Sequence, residues 1–271
     1  MQLSSLISVV VLTHNSEKLL DEVLRSVESF AAEIILVDDD STDQTLLIAA
    51  RYHAKIFSRS MNGFGAQKQF AIDQAANDWI FLIDSDEVAP IELAREIAES
   101  VKNSAHAAYR LPRRNYYFGR WLKYGGKYPD FQTRLFKKSV CRFSSDIVHE
   151  KVMVSGSTGE LRSFLNHFSY PDIETWTHKL NTFAEHRGQE LFNKGLRPGA
   201  KEALRYCFWR PLSRFIRRYI FKLGFCDGAA GFLACAHDAL TEILGYVHLA
   251  SPPFLKGGEP KVRGGYRRTP K

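Results

Sequence analysis

The sequence predicts an α/β fold organised on a doubly wound sheet. Over the first hundred residues four strand-like runs alternate with four helical patterns, the β-α-β-α order of such a sheet. The runs at 6–12, 33–37 and 79–83 are apolar without alternation, as in parallel strands buried on both faces. The second and fourth runs end in acids, Asp38-Asp39-Asp40 and Asp84-Ser85-Asp86-Glu87. Ligands of open α/β sheets sit beyond the carboxyl ends of the strands, so those acids mark the expected site.

Residues 6–12 form a β-branched first strand that stops at Thr13-His14-Asn15-Ser16. Asn15 or Ser16 is placed to cap a helix over 17–30, with Leu19, Leu20, Val23, Leu24 and Val27 at helical spacing. The strand at 33–37 leads through Ser41 or Thr42, as cap, into a helix reaching about Tyr52. A short third strand covers 54–58, the loop Asn62-Gly63-Phe64-Gly65 follows, and 66–76 is helical. After the fourth strand Pro90 opens a helix to about Val101. From Ala107 the pattern changes to short strand-like pieces at 107–111, 134–137, 140–143, 151–154 and 164–168. The loops between them are dense in Tyr, Phe and Trp beside Arg113, Arg114, Arg120 and Lys123, and read equally as core or as a surface for sugar rings. Residues 172–193, 200–224 and 227–246 are expected helices, with Pro211 interrupting the second.

Alternate residues of an extended segment point the same way, so Asp84 and Asp86 can converge on one cation. Gathering both acid clusters on one sheet edge is costly unless a cation or a hydrogen-bonding ligand offsets the repulsion. No Gly-rich dinucleotide turn or Walker A loop is present, so phosphate has to be held by metal and side chains.

The 271 residues are 45% hydrophobic, 13% aromatic and 25% charged, an ordinary globular composition with a high aromatic share. Cys141, Cys207, Cys226 and Cys235 show no CxxC or zinc spacing and suit a reducing compartment. There is no secretory signal pattern and no run of about 18 apolar residues, so the expectation is a cytosolic or membrane-surface protein. The net charge of +7 is concentrated late. Eight Lys/Arg face only Glu202 between 197 and 222, and six face Glu259 from 251 onward. A basic C-terminal third implies an anionic partner. After Pro211, Leu212, Phe215, Ile216, Tyr219 and Leu223 form one stripe, and Arg210, Arg214, Arg217 and Arg218 fall on the other side. Such a helix is expected on an anionic membrane surface, through 197–224, with its arginines on the headgroups. No nucleic-acid motif accompanies the charge, so no nucleic-acid partner is expected.

THNSE after the first strand, VDDDSTD at 37–43, QKQFAIDQA at 67–75 and IFLIDSDE at 80–87 occur in that order. Together they resemble the inverting family 2 glycosyltransferases, whose fold is the GT-A nucleotide-diphosphosugar transferase fold. Asp40 departs from the family's usual Gly, and Gln69 stands where Asn is common. Arg134-Leu135-Phe136, Val148-His149-Glu150 and the arginine-rich helix are similar to the branch of lipopolysaccharide-core β-1,4-glucosyltransferases.

The resemblance implies displacement at the anomeric carbon of a nucleotide sugar. It assigns Asp86, with Asp84, to Mg²⁺ or Mn²⁺, Asp84 leaning toward the ribose. Thr13 and Asp39 match nucleotide-contacting positions, Lys68 a basic position near the nucleotide, and Glu17 joins them. Glu150 is the implied base. His149 is a third metal ligand, an orienting partner of Glu150 or a packing residue. The implied donor is UDP-glucose or another UDP-hexose, and the acceptor is the inner-core heptose of lipopolysaccharide or another lipid-linked glycan. The place of action is the cytoplasmic face of the inner membrane. The expected organisation is a nucleotide-sugar-binding half at 1–105, an acceptor-binding half at 106–170, an amphipathic helical extension at 171–250 and a basic, disordered tail at 251–271. Two rivals remain: a nucleotidyltransferase, which needs a basic Gly-rich loop after the first strand, and a sugar-nucleotide or membrane-binding module without turnover.

Overall fold

The computed structural model describes residues 6–61, 63–143 and 152–251. The alternating half contains β1 (Ile7–Thr13), α1 (Leu20–Glu28), β2 (Glu33–Asp38), α2 (Thr45–Arg51), β3 (Lys55–Ser58), α3 (Phe64–Asp73) and β4 (Trp79–Asp84). The short β5 (Glu87–Val88) and α4 (Ile91–Asn103) follow. Then come β6 (Ala108–Tyr117), β7 (Arg120–Trp121), β8 (Asp130–Lys137), β9 (Cys141–Phe143), β10 (Val152–Val154), β11 (Thr158–Glu160) and β12 (Leu165–Tyr170). The helices α5 (Ile173–Asn193), Ala200–Phe221 and Gly228–Leu249 complete the chain.

These elements form two compact units. The described part of the first comprises 6–61, 63–113, 130–143 and 152–167. Its strands run in the order β3-β2-β1-β4-β8-β6-β12-β5. β1 is parallel to β2 and β4, and β2 to β3, whereas β8 is antiparallel to both β4 and β6. The sheet is therefore mixed, doubly wound in its first half, as the sequence predicts. Burial on both faces explains the missing alternation: Phe81 and Ile83 of β4 enter the core cluster of α1 and α4, while Ile80 and Leu82 enter the one containing Ala71 and Ile72 of α3. α1 buries Leu20, Val23, Leu24 and Val27, and α4 buries Leu93, Ala94, Ile97 and Val101, each a one-sided stripe at helical spacing.

The second unit, in its described part, comprises 114–129 and 168–251. α5 starts at a cap in which the Asp172 carboxylate accepts from Thr175 N at 2.7 Å. It lies so close to the last helix that a Cβ on Gly188 would stand 2.8 Å from the His248 Cβ, and one on Gly245 2.5 Å from the Arg187 Cγ. Pro211 does not interrupt the Ala200–Phe221 helix as expected. The turns at Arg205–Trp209 widen to π-type just before it, and a widened turn accommodates a residue that has no amide to give.

On the arginine helix Arg210 and Arg214, 36% and 34% exposed, each reach with one edge onto the carboxylate of Glu242, which is 1% exposed. Arg218 pairs with Asp238 at 2.8 Å. Outward lie Phe208, Trp209, Leu212, Ile220 and Phe221, all exposed. The buried acids decide this: an unpaired carboxylate inside a helical unit costs several kcal/mol, so Glu242 draws the guanidinium groups inward. Among the described residues no single helix is long and apolar enough to cross a membrane, although Ala200–Phe221 with Gly224–Leu249, bent by 72°, passes that test as a pair.

Candidate functional site

Every candidate residue described in the structure sits on the first unit, at the carboxyl ends of β1, β2 and β4 or beside them. Because β2, β1 and β4 are parallel neighbours, both acid clusters leave the sheet on the same edge. The protein's own donors offset much of their repulsion. Thr13 Oγ1 donates to Asp38 Oδ1 at 2.7 Å, and Ser41 donates to the same carboxylate through N and Oγ at 2.8 and 2.6 Å. Met61 N donates to Asp39 at 2.7 Å, and Ser60 Oγ to Asp40 at 2.7 Å. Asp40 adopts φ 51°, the left-handed region that glycine favours and Asp tolerates. That explains why the family's Gly position accepts this substitution.

The first loop is a tie rather than a helix cap. Asn15 N donates to Ser41 Oγ, and Asn15 Oδ1 accepts from Thr42 N at 2.9 Å. Ser16 N donates to Thr45 Oγ1 and its Oγ to Ser85 Oγ, joining the β1, β2 and β4 exits. α1 begins only at Leu20 for this reason. Glu17 accepts from Gln44 N at 3.0 Å, so its carboxylate fixes the β2–α2 loop.

Asp84 and Asp86 have different surroundings. Asp84 is ion-paired with Arg134 of β8, and that guanidinium also donates to Glu87 Oε1 at 2.6 Å. Glu87 is fully buried, and its other oxygen accepts from Asp84 N at 3.0 Å. Arg113 donates to Glu87 at 3.1 Å and to Asp130 at 2.8 Å. Two arginines thus hold three carboxylates in one network. Burial alone would lift the Asp84 carboxyl, but the charge of Arg134, with Lys68 and Arg113, outweighs it and holds the group well below the usual carboxylate range. Asp86 is partly exposed, and His167 Nε2 of β12 lies 3.4 Å from its Oδ2.

An open cavity of about 350 Å³ lies on this unit, lined among others by Lys68, Thr133, Arg134 and Phe143. Lys68 sits over the ring of Phe143, 5.8 Å from its centroid. The structure therefore brings Lys68 and Arg134 to one charged cavity, with Asp84 paired to Arg134, and joins Thr13 to Asp38. His149 and Glu150 lie outside the described residues, as does the tail beyond 251.

The donor chemistry of Asp86 and His167, one carboxylate and one imidazole, fits a divalent cation that takes its remaining ligands from water and phosphate oxygens. Asp84 fits less well, because Arg134 occupies its carboxylate. Among the described residues no group of three or more His, Cys, Asp or Glu side chains is placed to hold a metal. Sequence reasoning missed His167, counted Glu87 only among the acids of the site and placed Arg113 only beside the aromatic loops. The available signal was the acid at 87, which a strand end cannot bury without a distant cation.

The chain is similar to known glycosyltransferases. The family model described as "Glycosyl transferase family 2" matches residues 8–149. An uncharacterized glycosyltransferase of Rickettsia bellii (strain RML369-C) is 30% identical over 243 residues, covering 83% of this chain and 81% of the relative. The lipopolysaccharide core biosynthesis glycosyltransferase LpsC of Rhizobium meliloti (strain 1021) is 26% identical over 246 residues, covering 88% and 89%. Among solved structures, S. aureus TarS 1–349 matches with a TM-score of 0.44 and 16% identity, over 93% of this chain and 92% of that one.

Proposed function

The chain belongs to glycosyl transferase family 2, and from that premise we propose that it is an inverting, metal-dependent transferase moving a hexose from a UDP-sugar to a lipid-linked acceptor. The observation that supports this best is the division of labour at the end of β4. One carboxylate, Asp84, is paired with Arg134, while Asp86 lies beside His167, and both side chains are partly exposed.

In this reading Asp86 and His167 would hold Mg²⁺ or Mn²⁺, which neutralises charge on the leaving diphosphate when bound. Lys68 and Arg134 add fixed positive charge along the cavity. Thr13 at the end of β1 and Asp39 just after β2, joined by the hydrogen bond from Asp39 N to Thr13 O, receive the nucleoside. Glu150 takes the proton of the acceptor hydroxyl as its oxygen bonds to the anomeric carbon. The bond from that carbon to the diphosphate breaks, and UDP leaves with the electron pair. The similarity to LpsC, a lipopolysaccharide core biosynthesis glycosyltransferase, supports the lipopolysaccharide core as the acceptor class, and glucosyl transfer to an inner-core heptose is the particular reaction that the family resemblance implies. The action would take place at the cytoplasmic face of the inner membrane, with the Ala200–Phe221 helix on the lipid surface.

The test is UDP release over a panel of nucleotide sugars with Mn²⁺ and a truncated lipopolysaccharide acceptor. Release specific to one UDP-hexose and dependent on acceptor is expected. Glu150→Gln should abolish transfer while donor binding persists, and unchanged turnover would remove Glu150 as the base. Full activity in excess chelator would remove the metal.

A further inference from the structure

We propose that a pocket on the Ala200–Phe221 helix, formed by Arg210, Ser213, Arg214 and Arg217, binds the phosphate of a membrane-lipid headgroup. The inference rests on the membrane-surface reading above and gives that surface a specific ligand. The four residues follow i, i+3, i+4, i+7 spacing, so they share one stripe of the helix. They line an open cavity of about 300 Å³. Ser213, the one small side chain of the four, leaves the space between the guanidinium groups open.

The charge of the pocket is unbalanced. Glu242 touches Arg210 Nε at 3.0 Å and Arg214 at 2.9 Å, and it also receives Arg187 at 3.0 Å. Arg217 is exposed and has no ion-pair partner among the described residues. Three guanidinium groups therefore line a cavity with one shared carboxylate behind them. Because Glu242 holds Arg210 and Arg214 from within, their forks are already ordered for an oxyanion, and such forks match phosphate better than a point charge does.

The neighbouring surface identifies the source of the phosphate. On the same helix Trp209 is 58% and Phe221 78% exposed, with Leu212 and Ile220 exposed beside them. A cationic pocket on a helix that also exposes aromatic and aliphatic side chains suits a bilayer interface, with phosphate outside and acyl chain within. A free phosphate or a soluble nucleotide would gain nothing from those apolar side chains.

The experiment measures binding of the full chain to phosphatidylcholine vesicles doped either with phosphatidic acid or, at matched surface charge, with oleic acid. Phosphatidic acid vesicles are expected to bind about tenfold more tightly. Arg217→Glu should remove about tenfold of that affinity. Lys201→Glu, an exposed cation on the same helix outside the pocket, should remove clearly less. Thermal unfolding of both variants controls for folding. Equal binding to the two vesicle types, or equal loss in both variants, would overturn the pocket in favour of diffuse charge attraction. Inorganic phosphate binding as tightly as the vesicles would overturn the headgroup assignment, and no binding to any vesicle would overturn the membrane reading beneath it. UDP release from a soluble donor, measured in parallel, tests the transfer reading independently of these results.

Discussion

Arg134 stands between two carboxylates that are three residues apart in sequence, Asp84 and the fully buried Glu87. Removing it leaves Glu87 with Arg113 alone, and an undercompensated buried charge costs about 3–5 kcal/mol. Arg134→Met should therefore lower unfolding stability in urea by about that amount. Arg134→Lys should recover part of it, since an ammonium cannot span both acids as a planar fork does. A Met variant as stable as the parent would show that the network is dispensable. The second prediction concerns His167. If it shares a cation with Asp86, His167→Ala should raise the Mn²⁺ concentration for half-maximal activity about tenfold or more at unchanged donor specificity. An unchanged Mn²⁺ requirement would return His167 to a purely structural role. Neither partner was legible in the sequence. Asp84 and Asp86 stand out because a strand ends in them. Arg134 and His167 reach that place only through β8 lying antiparallel to β4 and β12 pairing with β5, where His167 faces Glu87 across the ladder. Spacing along one chain carries no record of such pairings.

Elements with a full period were legible, and those without one were not. β1, β2 and β4 declared themselves as apolar runs, and α1 and α4 as stripes. β5, β7 and β11 have two or three residues each, too few to show alternation. Between α5 and the last helix the sequence also hid a buried histidine. His237 is 4% exposed, with the rings of Tyr170, Trp176 and Phe183 at 5.4, 5.4 and 5.9 Å. Burial pushes its pKa down to about 4; Asp238 pulls upward, and Lys127 and Lys179 push further down. An imidazole in the unfolded chain titrates near 6.5. Below that pH the unfolded state takes the proton and the folded state does not. The stabilising contribution is thus complete above about pH 6.5 and is lost as pH falls toward 4, about 3 kcal/mol in all. Urea unfolding across that window should show the parent losing about that amount relative to His237→Phe as pH falls, since phenylalanine has no proton to take up. Parallel curves would mean that His237 does not titrate between the two states.

At the scale of the whole molecule, the helical pattern at 200–224 fixed amphipathicity but not which face turns inward. The outcome depended on Glu242 and Asp238, which lie on another helix and claim Arg210, Arg214 and Arg218. The apolar side left outward changes what should detach the protein from lipid. Arg214→Glu would place a second carboxylate against the buried Glu242, so it should lower the melting temperature and report on folding rather than on membrane contact. The informative change is on the exposed side. Trp209 and Phe221 touch water across most of their surface, and moving such a ring into an acyl layer is worth about 2 kcal/mol. Trp209→Ser with Phe221→Ser should therefore weaken vesicle binding by more than about a hundredfold and move the protein from the membrane to the soluble fraction. The melting temperature should hold, because neither ring is buried in the unit. In the parent, the four tryptophans include only Trp209 on this exposed helix, so a blue shift of fluorescence on adding vesicles should vanish with Trp209. A double variant that still sediments with membranes would sink the apolar-docking reading, even if the arginine pocket beside it retained its preference for phosphate.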